Sequence, residues 1–287
     1  MQPLVSVICL CYNHARFVTE AILSVRQQSY AAVELIVVDD ASTDNSVDKI
    51  RQAIAGLPAV KLITFRENAG MCKAFNAGLA LAKGDYIIDL AADDVLLPDR
   101  ILAGVQAFQR GGVNMGMNFT DAENIDEDGH HIAFHSDRFP HSSIPQGDVY
   151  LPLINRYFIS SPTMMFSRIL IDRLGGYDED LDYEDFDLWI RGSREFEFRY
   201  TPTVLVKRRI VKNSMARRQF TRLDRQRHST YDVCCKIMKL NRNRAEQQAL
   251  TQRIYYEIIQ CFKVLDWHLA YRYALLWQKN RAVRYER

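Results

Sequence analysis

Three acidic clusters could carry chemistry in this 287-residue chain: Asp39-Asp40, Asp93-Asp94 and Glu184-Asp185-Phe186-Asp187. Adjacent carboxylates behind an apolar run suit a hard divalent cation, because Mg²⁺ and Mn²⁺ prefer oxygen ligands and take one or two carboxylates alongside substrate phosphates. The competing reading of Asp93-Asp94 is a solvated turn or a helix N-cap. A carboxylate at Asp39-Asp40 could accept hydrogen bonds from a base imide or a ribose hydroxyl, with Tyr12 stacking on the base. Asp40 could equally begin an Asx-type turn and cap the following helix. Lys73, soon after Asn68-Ala69-Gly70, could meet a diphosphate or remain an exposed helix lysine. In the third cluster, Phe186, Trp189 and Ile190 mark the core face of a helix whose acidic start suits the dipole. A carboxylate there could deprotonate an attacking hydroxyl. Successive helical residues diverge by about 100°, so Glu184, Asp185 and Asp187 cannot all face one hydroxyl. Asp187 reads as solvated or paired with Arg191 four residues on.

These residues follow apolar runs that must position them. Leu4 to Leu10, Val33 to Val38, Val60 to Phe65 and Tyr86 to Leu90 read as strands, with helical patterns through Phe17 to Val25, Val47 to Ile54 and Ala74 to Ala82 between them. That alternation predicts a doubly wound, mostly parallel sheet covered on both faces, with ligands bound beyond the carboxyl ends of the strands. A helix follows over Pro98 to Arg110. Asn118 to Pro145 reads as a hairpin and a long loop, Ser161 to Phe166 as a strand, Glu184 to Arg194 as a helix and Phe196 to Ile210 as strand-rich. From Ala216 onward the pattern is helical.

Hydrophobic residues at 48% and charged residues at 25% describe a chain that folds rather than a disordered or fibrous one. Met1-Gln2-Pro3 leads straight into a strand without a signal-peptide pattern, and no apolar run reaches the ~18 residues of a membrane span, so a cytoplasmic setting is expected. The six cysteines lack paired C-x-x-C spacing and read as reduced thiols. The net charge of +2 hides an asymmetry: residues 1–215 hold 21 Lys and Arg against 29 Asp and Glu, whereas residues 216–287 hold 16 against 6. This predicts an acidic body at 1–215 and a basic helical extension at 216–287, and it argues against a uniformly basic nucleic-acid binder. In the extension Ile254, Ile258, Phe262, Leu265, Leu269, Tyr273 and Leu276 make an amphipathic stripe. That stripe packs against the body or another subunit, or attaches peripherally to anionic lipid at the inner face of a membrane.

Taken together, the clusters resemble glycosyltransferase family 2, the inverting enzymes of the GT-A α/β fold. The resemblance runs from Val5-Ser6-Val7-Ile8 and Tyr12-Asn13 through Glu34 to Asp44, then Asn68-Ala69-Gly70, Gly84-Asp85 and Asp93-Asp94. It continues in Gly175-Gly176-Tyr177-Asp178-Glu179 and Glu184-Asp185 with Leu188-Trp189-Ile190-Arg191. It implies that Tyr12 and Asp40 hold the nucleoside base with Asp39 nearby. Asp93 then lies near the ribose or sugar and Asp94 binds the metal, Mg²⁺ or Mn²⁺. Asp185 becomes the general base, with Glu184 orienting the acceptor. The implied reaction moves a sugar from a nucleotide-sugar donor, UDP-linked as first choice, to a glycan or lipid-linked hydroxyl acceptor in surface polysaccharide synthesis. Two departures stand out. Ala91 replaces a frequent third carboxylate, and Val211 replaces a frequent histidine within Arg209-Ile210-Val211-Lys212-Asn213-Ser214, so that Lys212 or water would substitute. Those losses leave room for a different class of protein, a catalytically degenerate binder of nucleotide sugars or of a partner.

Overall fold

The computed structural model describes residues 2–57, 59–139, 143–211 and 225–285. Lys212, Asn213, Ser214 and the expected boundary at 215/216 lie outside the described residues. A nine-stranded sheet forms the centre. Its first half is built from β1 (Val5–Cys11), β2 (Val33–Asp39), β3 (Lys61–Thr64) and β4 (Tyr86–Ala91), hydrogen-bonded in the order β3-β2-β1-β4 and parallel throughout. The connecting helices are α1 (Val18–Arg26), α2 (Ser46–Ala53) and α3 (Met71–Leu81). Every residue of β1 is buried, as a parallel strand covered on both faces requires. Gly78 lets α3 lie directly on the sheet, since a Cβ there would sit 2.5 Å from Ile8 Cγ2.

The second half departs from simple alternation. After β5 (Val95–Leu96) and α4 (Arg100–Gly111), β6 (Met115–Ile125) turns back through β7 (His131–Phe134), the expected hairpin. β6 is also a long interior strand, pairing in parallel with β9 (Glu197–Arg209) along most of its length. β8 (Met165–Ser167) joins β6 to β4 by short antiparallel contacts, and β5 closes antiparallel on β9. The sheet is therefore mixed on this side, while its long ladders stay parallel. α7 (Glu184–Ser193) is the helix expected there, and two short helices that no local pattern announces, α5 (Tyr150–Asn155) and α6 (Arg168–Leu174), complete this half.

α8 (Arg225–Leu240), α9 (Arg244–Lys263) and α10 (Trp267–Ala282) follow. They share one apolar cluster with the sheet, in which Val233, Leu250, Ile254 and Leu269 join Tyr150, Phe158 and Phe186. Arg194 pairs with Glu246 at 3.0 Å and stacks over Tyr150 at 3.8 Å. The stripe read from the sequence is split by this packing: Ile254, Leu269, Tyr273 and Leu276 are buried, whereas Phe262 and Leu265 stand exposed. No described helix is long and apolar enough to cross a membrane. All six cysteines are free thiols.

Candidate functional site

At the carboxyl ends of β1 and β2 two loops are laced together. Asn13 adopts a left-handed backbone, and its Oδ1 accepts from Thr43 N at 2.7 Å and Asp44 N at 3.3 Å, while its own N–H donates to Ser42 Oγ. Tyr12 beside it is 46% exposed, which leaves the ring face open to a planar ligand. Asp39, rather than Asp40, closes the turn after β2: its Oδ1 accepts from Ser42 N, three residues on, at 2.9 Å and its Oδ2 from Ser42 Oγ at 2.6 Å. Asp40 caps no helix. Its two oxygens accept from Ala69 N at 2.7 Å and Gly70 N at 2.9 Å, bracing the loop that opens α3. Lys73 is exposed on the first turn of that helix.

Beyond β4 lie Asp93 and Asp94. Asp94 is neither a solvated turn residue nor a cap, for it is buried and α4 begins only at Arg100, behind Asp99. Its Oδ1 accepts from Arg209 N at 2.8 Å, and the Arg209 guanidinium donates to Asp93 O at 3.0 Å and pairs with Glu20 at 2.7 Å. Burial, and then the neighbouring Asp93 charge, push the Asp94 carboxyl well above its ordinary range. A divalent cation would relieve that, so hard carboxylate oxygen on a backbone-anchored Asp94 fits Mg²⁺ or Mn²⁺. His14 Nδ1 lies 3.8 Å from Asp93. Asp126, Asp128 and His130 also come together, but they belong to the β6-β7 turn. There Asp126 Oδ1 accepts from Asp128 N and His130 N, and Asp128 pairs with Arg16.

The third cluster opens α7. Gly175 and Gly176 both take positive φ after α6, turning the chain so that Tyr177 N donates to Asn76 Oδ1 at 3.0 Å. The Tyr177 hydroxyl then sits 2.9 Å from Asp89 Oδ2 and also hydrogen-bonds Asp185. Burial pushes Asp185 up to about 6, against the lowering effects of the Ser161 hydroxyl, the Arg208 charge and Tyr177. Asp89 goes to about 7, through burial and the Asp185 charge. Glu184 is raised well above its ordinary value by burial and by Asp185. Asp187 is different in kind. It is fully buried between Arg191 Nε and Lys236 Nζ, each at 2.6 Å, so it is paired rather than solvated.

Three contributors were not singled out in the sequence. Asp89 sits within a strand rather than at its end, Tyr177 reads as part of a glycine-rich loop, and Arg208 is one of three consecutive basic residues. Arg208 lowers both Asp94 and Asp185, so its charge reaches both sides of the site. Its signal was position: it lies at the carboxyl end of β9, which delivers Arg209 to Asp94.

The sequence model described as Glycosyl transferase family 2 matches residues 6–175. An uncharacterised glycosyltransferase of Rickettsia typhi is 31% identical over 211 residues, 73% of this chain and 64% of the relative. The chondroitin synthase of Pasteurella multocida is 31% identical over 131 residues, 46% of this chain and 13% of the relative. The chain thus spans less than two thirds of the length of these curated relatives. Among solved structures, S. aureus TarS 1-349 in complex with UDP-GlcNAc superposes with a TM-score of 0.72 at 17% identity, over 96% of this chain and 79% of that one. The mannosyltransferase PcManGT from Pyrobaculum calidifontis, in complex with GDP-Man and Mn²⁺, gives 0.66 at 18% over 100% and 77%. At such identities the likeness speaks for the fold, which is the expected GT-A type with C-terminal helices. With the family match extending over more than half of its length, the chain belongs to glycosyl transferase family 2.

Proposed function

We propose that the protein transfers a glycosyl group from a nucleoside-diphosphate sugar to a hydroxyl acceptor by a single displacement with inversion. The observation that carries this reading is the convergence of Asp94, Asp185 and Arg208. A buried carboxylate suited to a metal and a carboxylate raised to about 6 are both within reach of one guanidinium charge. Tyr12 stacks on the base, and the loops held by Asp39 and Asp40 shape its pocket. Asp93 faces the ribose or sugar, and Lys73 and Arg208 meet the diphosphate. Mg²⁺ or Mn²⁺ on Asp94 would neutralise charge on the departing nucleoside diphosphate.

Asp185 takes the proton of the acceptor hydroxyl. The freed oxygen forms its bond to the anomeric carbon as the bond to the diphosphate breaks, and the nucleotide leaves with the electron pair. Glu184 orients the acceptor. Tyr177 has one phenolic proton for two carboxylates, so a proton held by Asp89 lets Tyr177 donate to Asp185 and fix the base. Residues 1–215 carry the chemistry, and the helices after 216 buttress its acceptor side. A UDP-sugar is the first donor to try, with a glycan or lipid-linked acceptor of surface polysaccharide assembly.

A donor-by-acceptor screen with Mn²⁺, reading nucleoside diphosphate release and the anomeric configuration of the product, tests this. Release that depends on acceptor, with an inverted product, is the expected result. Tight donor binding without release in any pairing would instead assign the chain to nucleotide-sugar binding without turnover.

A further inference from the structure

Eight of the sixteen large hydrophobic side chains exposed among the described residues fall between 255 and 275. They are distributed by helical spacing. On α9 they are Tyr255, Ile259 and Phe262, with Tyr256 beside them, and on α10 they are Trp267, Tyr271 and Leu275. The two helices run antiparallel, since Gln247 Nε2 donates to Asn280 O and Val283 O, and Asn280 Nδ2 to Thr251 Oγ1. The stripes therefore advance together to a tip at which Phe262 meets Trp267 edge-on at 5.4 Å and Leu265 projects. Trp267 is 58% exposed and Tyr271 64%.

The charges around this face have one sign. Every exposed charged side chain described from 244 to 285 is a cation: Arg244, Lys263, Lys279, Arg281 and Arg284. Of the three acids described there two are buried and the third, Asp266, is half-buried and engaged as a cap. Glu246 and Glu257 are buried against Arg194 and Arg253, and Asp266 accepts from Leu269 N as the cap of α10. Tyr and Trp favour the boundary where one end of the ring is apolar and the other wet, and lysines beside them favour anionic headgroups. A second copy on the same face would set cation against cation across a twofold axis.

We propose that the α9-α10 hairpin docks on the surface of an anionic bilayer, with Phe262, Leu265, Trp267 and Tyr271 entering the interfacial layer. The hairpin is coupled to the acceptor side. Arg253 of α9 lies over Phe186, the residue after Asp185, at 4.9 Å, and over Tyr157 at 4.4 Å. On the transferase reading above, docking presents Asp185 to an acceptor anchored in the same membrane. Vesicle binding itself does not depend on that reading.

Sedimentation of the full chain with phosphatidylcholine vesicles, and with vesicles of equal parts phosphatidylcholine and phosphatidylglycerol, tests the docking. Binding to the anionic vesicles is expected to be at least about tenfold the tighter. The double variant Trp267→Ser/Tyr271→Ser, altered only at exposed positions, should lose about tenfold or more with unchanged circular dichroism. Lys263→Gln/Lys279→Gln should weaken binding several-fold, as added salt does. Equal binding by wild type and the aromatic double variant, or none by wild type, overturns the proposal. So does light scattering that shows a dimer which the aromatic variant dissolves without any vesicle binding, since a second copy would then cover the face.

Discussion

The same residue type does different work in the two parts of the proposed site. On the proposed donor side the carboxylates of Asp39, Asp40 and Asp94 accept from the backbone amides of Ser42, Ala69, Gly70 and Arg209, so they pin loops to strand ends. On the proposed acceptor side burial pushes Asp89, Glu184 and Asp185 upward, and the Asp185 charge raises the other two further. Hydrogen bonds from fixed amides organise a cradle, whereas Asp89, raised to about 7, and Asp185, raised to about 6, are poised to hold and release protons near neutrality.

The largest expected effect comes from removing the proton-handling group. Asp185→Asn should lower kcat by about 10²–10⁴-fold, the usual contribution of a positioned base, with the thermal midpoint preserved. Near-normal turnover at saturating donor and acceptor would break the comparison. Next in size is Asp187→Asn, which leaves the chemistry alone but strips a buried carboxylate from Arg191 and Lys236. Chemical denaturation should show a loss of about 2–4 kcal/mol, with kcat per folded molecule little changed.

A smaller effect sharpens the assignment of Tyr177. Its hydrogen bond favours ionised Asp185. The base acts only when ionised, so activity should fall as pH drops through about 6. Tyr177→Phe should move that acidic limb upward, by up to about one pH unit. A limb that stays in place in a full pH-rate profile would remove Tyr177 from the proton network. The smallest effect concerns Asp89. Its carboxyl is raised to about 7, so the stability it contributes is complete below the unfolded carboxylate range and is lost as pH rises through about 7. Asp89→Asn has no such loss. Its melting temperature, measured against wild type, should therefore rise by a few degrees between pH 4 and pH 8.

Much of this was legible in the sequence because β1 to β4 are continuous apolar runs ending in polar residues, a pattern that local spacing records. The second half was harder to read. β6 carries Asn118, Thr120, Asp121 and Glu123 along a strand that is nonetheless largely buried, because Asn118 bonds to Thr201 and Asp121 to Ser136. No local apolar period announces such a strand. The same holds in the site. Asp185 and Asp94 stand at element ends where sequence draws attention, while Asp89 and Arg208 matter only through what the folded sheet brings opposite them. In the extension the periodicity found the buried stripe, and the outward aromatic stripe emerged only once the helix break near Leu265 separated α9 from α10.

The separation of a donor-holding set from a proton-handling set is tested most directly by calorimetric titration of the nucleoside diphosphate selected in the donor screen. Wild type, Asp94→Ala and Asp185→Asn are compared, each with and without Mn²⁺. Asp185→Asn should bind as wild type does in both conditions, and Asp94→Ala should lose the Mn²⁺-dependent part of the affinity while keeping the rest. If Asp185→Asn weakens nucleotide binding as much as Asp94→Ala does, the two sets of carboxylates are one and the account is wrong.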